Sequence, residues 1–502
     1  MLNNSTNDLW KEQPLLSMSD ANTVINDNNK TMIVVQKRYT SADLIFKKRI
    51  WKTNIEALWA IFSLMLQVLP EIYNTAILSN YGDASVVAGA GLGVMFINMF
   101  VYGTFEGLNG AIDTLAAQTY GTRDYKECNL IFNRARMINS VIFVPVAILL
   151  IFSSYLLGIL NQPPDVSLNA QVYLTYQLPG LFFIVHFDTL RRYLQAQGLF
   201  DLPTKTLIFS FILHVIIVTC SMHFINYDPI IICSAVTNIT LFVDYLILNI
   251  VSRDFLRTTN YLSIFEGAFT EWGEYMTLAI PSAFILCAEW WMYEVLALFA
   301  GWLGVVYLAT LIIIFNTHNL IYDVSYGLSQ AASSQIGRTL AEIGKRTAKK
   351  LLRVIAVAQV VTCIVISVGY LIWARGIIKL YTDEKDMIDL FVSCKYMIVL
   401  MFIVDSSQIV LGGVIRGIGE QGESSIISFI SYALITLPLT VVFSFWFDLK
   451  LHGILLSYIC GISFNTVFNT IILLRSDWEL TVGNDEDEDD ENSIKMKGYT
   501  SL

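Results

Sequence analysis

Leu351-Leu-Arg-Val-Ile-Ala-Val-Ala-Gln-Val-Val-Thr-Cys-Ile-Val-Ile-Ser-Val-Gly-Tyr-Leu-Ile-Trp373 holds one charged side chain in 23 residues. A run that long and that apolar matches the roughly 20 residues with which a helix crosses the hydrocarbon core of a bilayer. A transmembrane strand takes only about ten residues of alternating character. Lipid offers the backbone no hydrogen bonds, so a run of this length is helical. Eleven more stretches of the same kind are expected to span. With this one they cover 54–78, 86–110, 129–157, 169–190, 204–225, 229–251, 271–299, 304–334, 351–373, 387–413, 424–446 and 451–474. The expected fold class is therefore an all-α integral membrane protein with about 12 transmembrane helices.

Composition agrees. Of 502 residues, 55% are hydrophobic and 15% charged, against roughly 25% charged in ordinary soluble domains. Mean hydropathy is +0.57. The net charge of −10 comes largely from one run of seven acids, Asp485 to Glu491. No basic patch interleaved with aromatics suggests nucleic acid. The polar first 50 residues lack the apolar core of a signal peptide, and Leu2 excludes N-myristoylation. The seven cysteines show no CxxC pair or Cys/His cluster, and the chain has no Walker phosphate loop, no H-E-x-x-H and no stretch long enough for a soluble nucleotide domain, so neither a metal nor another cofactor is expected. Cys220 and Cys233 flank one outer loop, and their pairing is left open.

The basic residues give an orientation. Lys47, Lys48, Arg49 and Lys52, then Arg123 and Lys126, then Arg191, Arg192 and Lys205, then Arg253 and Arg257 fall on one side. So does the central loop with Arg338, Lys345, Arg346, Lys349, Lys350 and Arg353. The other side has Arg375, Lys379, Lys385 and Lys450, four of the 32 basic residues. That asymmetry predicts an even number of spans with both termini cytoplasmic.

The chain also reads as a duplication. Pro70 answers Pro281, and Asp113-Thr-Leu-Ala-Ala-Gln118 with Gly121 answers Ser329-Gln-Ala-Ala-Ser-Ser334 with Gly337. The expected division is a disordered cytoplasmic segment (1–50), two parallel-repeat six-helix lobes (51–258 and 259–476) around a central cavity, and an acidic cytoplasmic tail (477–502). Paired bundles of this kind hold their substrate between them near the midplane.

Chemistry is sought in acids held within the membrane. An ionised carboxylate at that depth costs at least about 2.5 kcal/mol, so it is paired, protonated or functional. Glu289 and Glu294 lie mid-span, five residues and about 140° apart on a helix, so they cannot face one spot. Asp405 and Gln408, three apart, share a face. Glu71 beside Pro70, and Asp323 four residues after Asn319, are further candidates. Asp188 and Asp244 lie nearer span ends and read as structural, and Asp113 as a bond between helices. Trp290, Trp291, Tyr293, Tyr307, Tyr322 and Tyr326 surround these acids in sequence. Aromatics with carboxylates suit a flat organic cation, although such residues also line membrane interfaces. The histidines 186, 214, 223, 318 and 452 form no ligand pattern; His318 in the eighth span merits a mutation, and the others read as interfacial.

Five stretches resemble the multidrug and toxic compound extrusion (MATE) family of secondary antiporters, specifically its eukaryotic branch. They are Gly110-Ala-Ile-Asp-Thr-Leu-Ala-Ala-Gln-Thr-Tyr-Gly121, Arg192-Tyr-Leu-Gln-Ala-Gln197 with Pro203, Ile280 to Glu294, Gly327-Leu-Ser-Gln-Ala-Ala-Ser333, and Asp405 followed by Gly413-Val-Ile-Arg-Gly-Ile-Gly-Glu-Gln421. The resemblance covers roughly 60–475. It implies two lobes in a V and export of small organic, often cationic, solutes or xenobiotics in exchange for protons, with no enzymatic activity. It assigns the coupling acids to Glu289, Glu294 and Asp405. Tyr307 stands where some eukaryotic members carry another acid, and Ser325 stands where a proline precedes the eighth-span glycine. Either Asp323 compensates or the substrate range differs. The alternatives within transport are sodium coupling or a lipid-linked oligosaccharide flippase; outside it, a membrane enzyme or receptor. A plasma, vacuolar or other organellar membrane is expected. The last residues, Tyr499 to Leu502, match a tyrosine-based sorting signal and a PDZ carboxylate ligand, set against a plain solvated tail.

Overall fold

The computed structural model describes residues 28–160, 162–258 and 265–481, and helices make up nearly all of them. The acidic run 485–491 and the motif at 499–502 lie outside the described residues. The chain divides into an amino-terminal unit, Met1–Lys52, and a unit Thr53–Leu502 that holds the rest.

Twelve long helices follow one another: α1 Asn28–Tyr81, α2 Ser85–Thr122, α3 Tyr125–Ile151, α4 Pro164–Ala196, α5 Asp201–Phe224, α6 Pro229–Thr258, α7 Trp272–Leu303, α8 Val305–Ile343, α9 Lys345–Lys379, α10 Lys385–Ile418, α11 Gln421–Trp446 and α12 Lys450–Arg475. Eleven are long and apolar enough to cross a membrane. The exception is α4, 33 residues long, whose charge-free stretch is diluted by Asn169, Gln171, Tyr173, Tyr176, Gln177 and Pro179. Two junctions need a single residue. Gly304 (φ 129°) separates α7 from α8, and Gly344 (φ 100°) separates α8 from α9. Both angles are strained for any side chain bearing a Cβ.

The helices run past the expected spans. The run Asp113–Gln118, expected beyond the second span, lies inside α2. Arg191, Arg192 and Arg338, counted as loop residues, lie within α4 and α8 and are buried. Each has an acid at hand, which lets the helix continue through a charge. α1 begins at Asn28, inside the segment expected to be disordered, where no glycine or proline intervenes before Ile50. Within the stretch expected to be tail (477–502), Trp478 is packed at 3% exposed, between the exposed Asp477 and Glu479. Cys220 and Cys233 are free thiols.

Two apolar cores organise the packing. One draws on α1 to α6 and the start of α7, from Leu78 to Ala279. The other draws on α7 to α12, from Met292 to Ile462. We call the two sets of six helices the N-half and C-half. A third core joins them at the end where the basic loops lie, with Ala57, Ala60 and Phe200 against Leu328, Ala331 and Ile336. Close approach between the halves depends on small residues. A Cβ on Gly107 would fall 2.3 Å from Ala283 Cα, and one on Gly327 would fall 2.7 Å from the Ile61 nitrogen. Gly107→Val is therefore expected to destabilise the protein by about 1–3 kcal/mol through overpacking, read as a lower unfolding temperature of the detergent-solubilised protein.

Candidate functional site

The deepest feature between the halves is a ladder of polar contacts at the basic end. Arg192 is 1% exposed. It donates to Asp113 Oδ2 at 2.7 Å and to the Tyr326 hydroxyl at 2.8 Å, with Asp188 at 3.4 Å and Glu106 at 3.5 Å. Arg191, fully buried, pairs with Asp188 and donates to Gln330 Oε1 at 3.0 Å. Asn109, where α2 is interrupted, donates to Asp188 at 2.7 Å. Arg416 lies 3.5 Å from Asp113 and donates to Ser329 Oγ at 2.9 Å. Nearer the basic end, Arg338 pairs with Glu56 at 3.0 Å and Gln335 donates to the same carboxylate. Gln118 donates to the Gly417 carbonyl at 3.2 Å, and Ser334 donates to the Gln195 carbonyl at 2.6 Å. All except the Arg191–Asp188, Asn109–Asp188 and Arg416–Ser329 bonds and the Arg192 contacts to Asp113, Asp188 and Glu106 join one half to the other. The seam is shut at this end.

Above this floor lies a partly open cavity of about 430 Å3, open space included, walled by both halves. Glu106 and Arg192 face it from the N-half; Glu289, Tyr322, Gln408 and Arg416 face it from the C-half. Glu289 is 3% exposed, and its Oε1 has no hydrogen-bond partner among the described residues. Glu106 Oε2 is likewise without one. The cavity wall thus carries two acids, and two arginines tied into the floor. The sequence suggests acids with aromatics and no cation at the wall. In the sequence Arg192 reads as loop charge and, with Arg416, as part of the quoted motifs, while Glu106 stands outside them. Their signal was a charge inside an apolar run, which counting by loops discards.

The other expected residues separate into distinct places. Asp405 is fully buried and does not line the cavity. His318 Nε2 lies 2.7 Å from its Oδ2, and the Tyr458 hydroxyl 3.3 Å from its Oδ1. Tyr293 lies against this group, its hydroxyl 2.9 Å from that of Tyr458. Asp405 therefore sits inside the C-half, off the cavity wall that Glu289 lines. Gln408, one helical turn on from Asp405, does reach the cavity, so the two residues expected on one face part company here. Trp290 donates weakly to Tyr322 at 3.5 Å. Tyr307 lies beneath Lys450, 5.9 Å from its ring centre, away from the cavity. Glu294, Glu71 and Asp323 are half-buried and line neither cavity. Ser325, at the position of the missing proline, donates to Ser406 at 2.8 Å and ties α8 to α10.

A second space of about 310 Å3 lies within the N-half, lined by Gln67, Ser210, Thr240 and Asp244 among others. Nearby, His214 bridges Asn74 and Thr240 at 3.0 Å each. Asp244 is buried, and its Oδ1 has no partner among the described residues. Among those residues no His, Cys, Asp or Glu group has the arrangement of a metal site.

The MatE family model matches residues 60–219 and 281–442. Multidrug and toxin extrusion protein 2 of Oryctolagus cuniculus is 28% identical over 83% of this chain and 69% of its own length. Protein DETOXIFICATION 12 of Arabidopsis thaliana is 26% identical over 82% of this chain and 86% of its own length. In fold the chain is similar to the crystal structure of the eukaryotic MATE transporter AtDTX14, with TM-score 0.82, 20% identity, and coverage of 87% of this chain and 98% of that one.

Removing Arg192 leaves Asp113 and Asp188 with less compensation in a buried place. Arg192→Ala is expected to destabilise the folded protein by about 3–5 kcal/mol, measured by denaturant or thermal unfolding.

Proposed function

The chain belongs to the MatE family of membrane transporters, and from that premise we propose that it exports organic solutes, many of them cationic, in exchange for protons. It is a multi-pass membrane protein, a transporter rather than an enzyme. The names of its relatives, multidrug and toxin extrusion protein 2 among them, support a xenobiotic cargo. The observation that carries the proposal is Glu289: a buried carboxylate with an oxygen lacking a partner, at the wall of a cavity between the halves. A group in that setting holds a proton or a cation, and not both, because an uncompensated buried charge is expensive.

In this account the basic end faces the cytoplasm, as the basic-residue asymmetry supports. The shut ladder then makes the described state one that bars the cytoplasmic path. Cargo leaves toward the far end when a proton takes its place on Glu289. The halves, moving as two lobes, then exchange which end is shut. Asp405, screened from the cavity, takes part through protons and not through contact with cargo. Each proton supplies about 1.4 kcal/mol per pH unit and roughly 2.3 kcal/mol per 100 mV of membrane potential.

The flippase reading predicts a cavity with surplus positive charge for phosphates. Arg192 and Arg416 do face this cavity, but Asp113 and Asp188 accompany them, which favours the cation exporter. Purified protein in sealed vesicles, with pH and sodium gradients imposed separately on an organic-cation panel, distinguishes the readings. Wild type is expected to respond to pH. Glu289→Gln and Asp405→Asn are each expected to lower acid-driven exchange at least tenfold while eluting as folded protein. Full activity in both variants, or drive by sodium alone, would reject the proposal.

A further inference from the structure

The pairing of His318 with Asp405 is not used by the proposal above. On the proposed antiport, we infer that the two residues form one proton-storing unit, with His318 carrying a second coupling proton beside Asp405, apart from the one that competes with cargo at Glu289. The imidazole is 2% exposed, with Nε2 2.7 Å from the carboxylate and Nδ1 without a partner among the described residues. The titratable groups around the pair are Tyr293 and Glu289 from α7, Asp405 from α10, Tyr432 from α11 and Tyr458 from α12. Asp405 is the acid that touches the ring. An imidazolium against a carboxylate is net neutral, and it becomes a single negative charge when the proton leaves. The unit thus stores one proton without placing a net positive charge in the apolar C-half. Because Asp405 is turned to His318 and away from the cavity, cargo meets Glu289, while proton occupancy of the pair is sensed without contact with cargo.

The test separates drive from binding. In proteoliposomes, cargo-for-cargo counterflow without a pH gradient needs the cavity but no net proton movement. His318→Gln can still donate to Asp405 but cannot carry the proton. It is expected to keep counterflow within about threefold of wild type and to lose at least tenfold of the acid-driven uptake. Equal acid-driven uptake in His318→Gln and wild type overturns the inference. Absence of acid drive in wild type overturns the antiport proposal instead. Loss of counterflow together with drive, in a variant that remains monodisperse, also overturns the inference, because His318 would then serve the cavity.

A separate observation concerns the segment after α12. Ser476 donates to Glu420 at 2.8 Å, and Trp478 is buried with a φ of 57°, a conformation tryptophan rarely adopts. Lys349 Nζ lies 5.4 Å from the Trp478 ring centre. The Thr481 backbone N–H then donates to Gln118 Oε1 at 2.8 Å, on the N-half. Gln118 thereby holds backbone groups from two places beyond its own half, Gly417 and Thr481. The geometry points to a strap: Ser476–Thr481 crosses the seam from the C-half and latches it shut at the basic end.

Thr481→Pro removes the N–H at the end of the strap, and Trp478→Ala removes its anchor. Spin labels at Arg123 and Lys345, on a background with Cys220, Cys287 and Cys460 replaced, report the width of the seam. Each variant is expected to raise the long-distance population at least threefold over the same labelled wild type. Unchanged distance distributions in both variants overturn the strap.

Discussion

A buried guanidinium organises this molecule. Arg192 sits at the contact of the two halves with three carboxylates and a tyrosine hydroxyl within 3.5 Å. Two of those acids, Asp113 and Asp188, carry the ladder further, to Arg416 and to Arg191 with Asn109. A charge in an apolar interior is stable only while its partners stay. The halves are therefore held by interactions that are strong together and costly when broken one at a time. That favours two discrete arrangements over a continuum. The glycines at the seam serve the same end. Gly107 against Ala283 and Gly337 against Ala117 bring the helices close enough for short polar side chains to meet.

The second constraint is the separation of the two central acids. Glu289 faces the cavity; Asp405 faces His318 and Tyr458 inside the C-half. A single carboxylate that binds cargo and proton alike couples the two by competition. A second acid off the cavity wall adds a place where a proton alters the local field without touching cargo. The aromatic residues Tyr293, Tyr432 and Tyr458 form a layer of hydroxyls and ring faces around it. That layer is hydrogen-bonded throughout its hydroxyls.

The helical membrane fold was legible in the sequence because apolar runs of twenty-odd residues have one stable form in lipid. The membership of α4 was legible too, although its hydropathy is the weakest, since it fell where the alternation of basic loops required a span. Glu289 was legible as an acid inside an apolar run; Gln408 lines the cavity without Asp405, the residue its helical spacing pairs it with. What was not legible was pairing. Arg191, Arg192 and Arg338 looked like loop cations because sequence shows a charge and not the acid 79 or more residues away, in Arg192 with Asp113 and Arg338 with Glu56, that neutralises it. Asp405 looked like a cavity acid for the same reason: His318, 87 residues distant, turns it inward. Trp478 looked like tail because its pocket is assembled from other helices.

The account turns on cargo and proton excluding one another at Glu289. Calorimetric titration of an organic-cation substrate into the purified protein, in buffers of equal pH and different ionisation enthalpy, reads that exclusion directly. The account predicts an observed heat that varies linearly with buffer enthalpy, with protons released as cargo binds and a smaller release in Glu289→Gln. A heat independent of the buffer, at a pH where substrate binds, would contradict it.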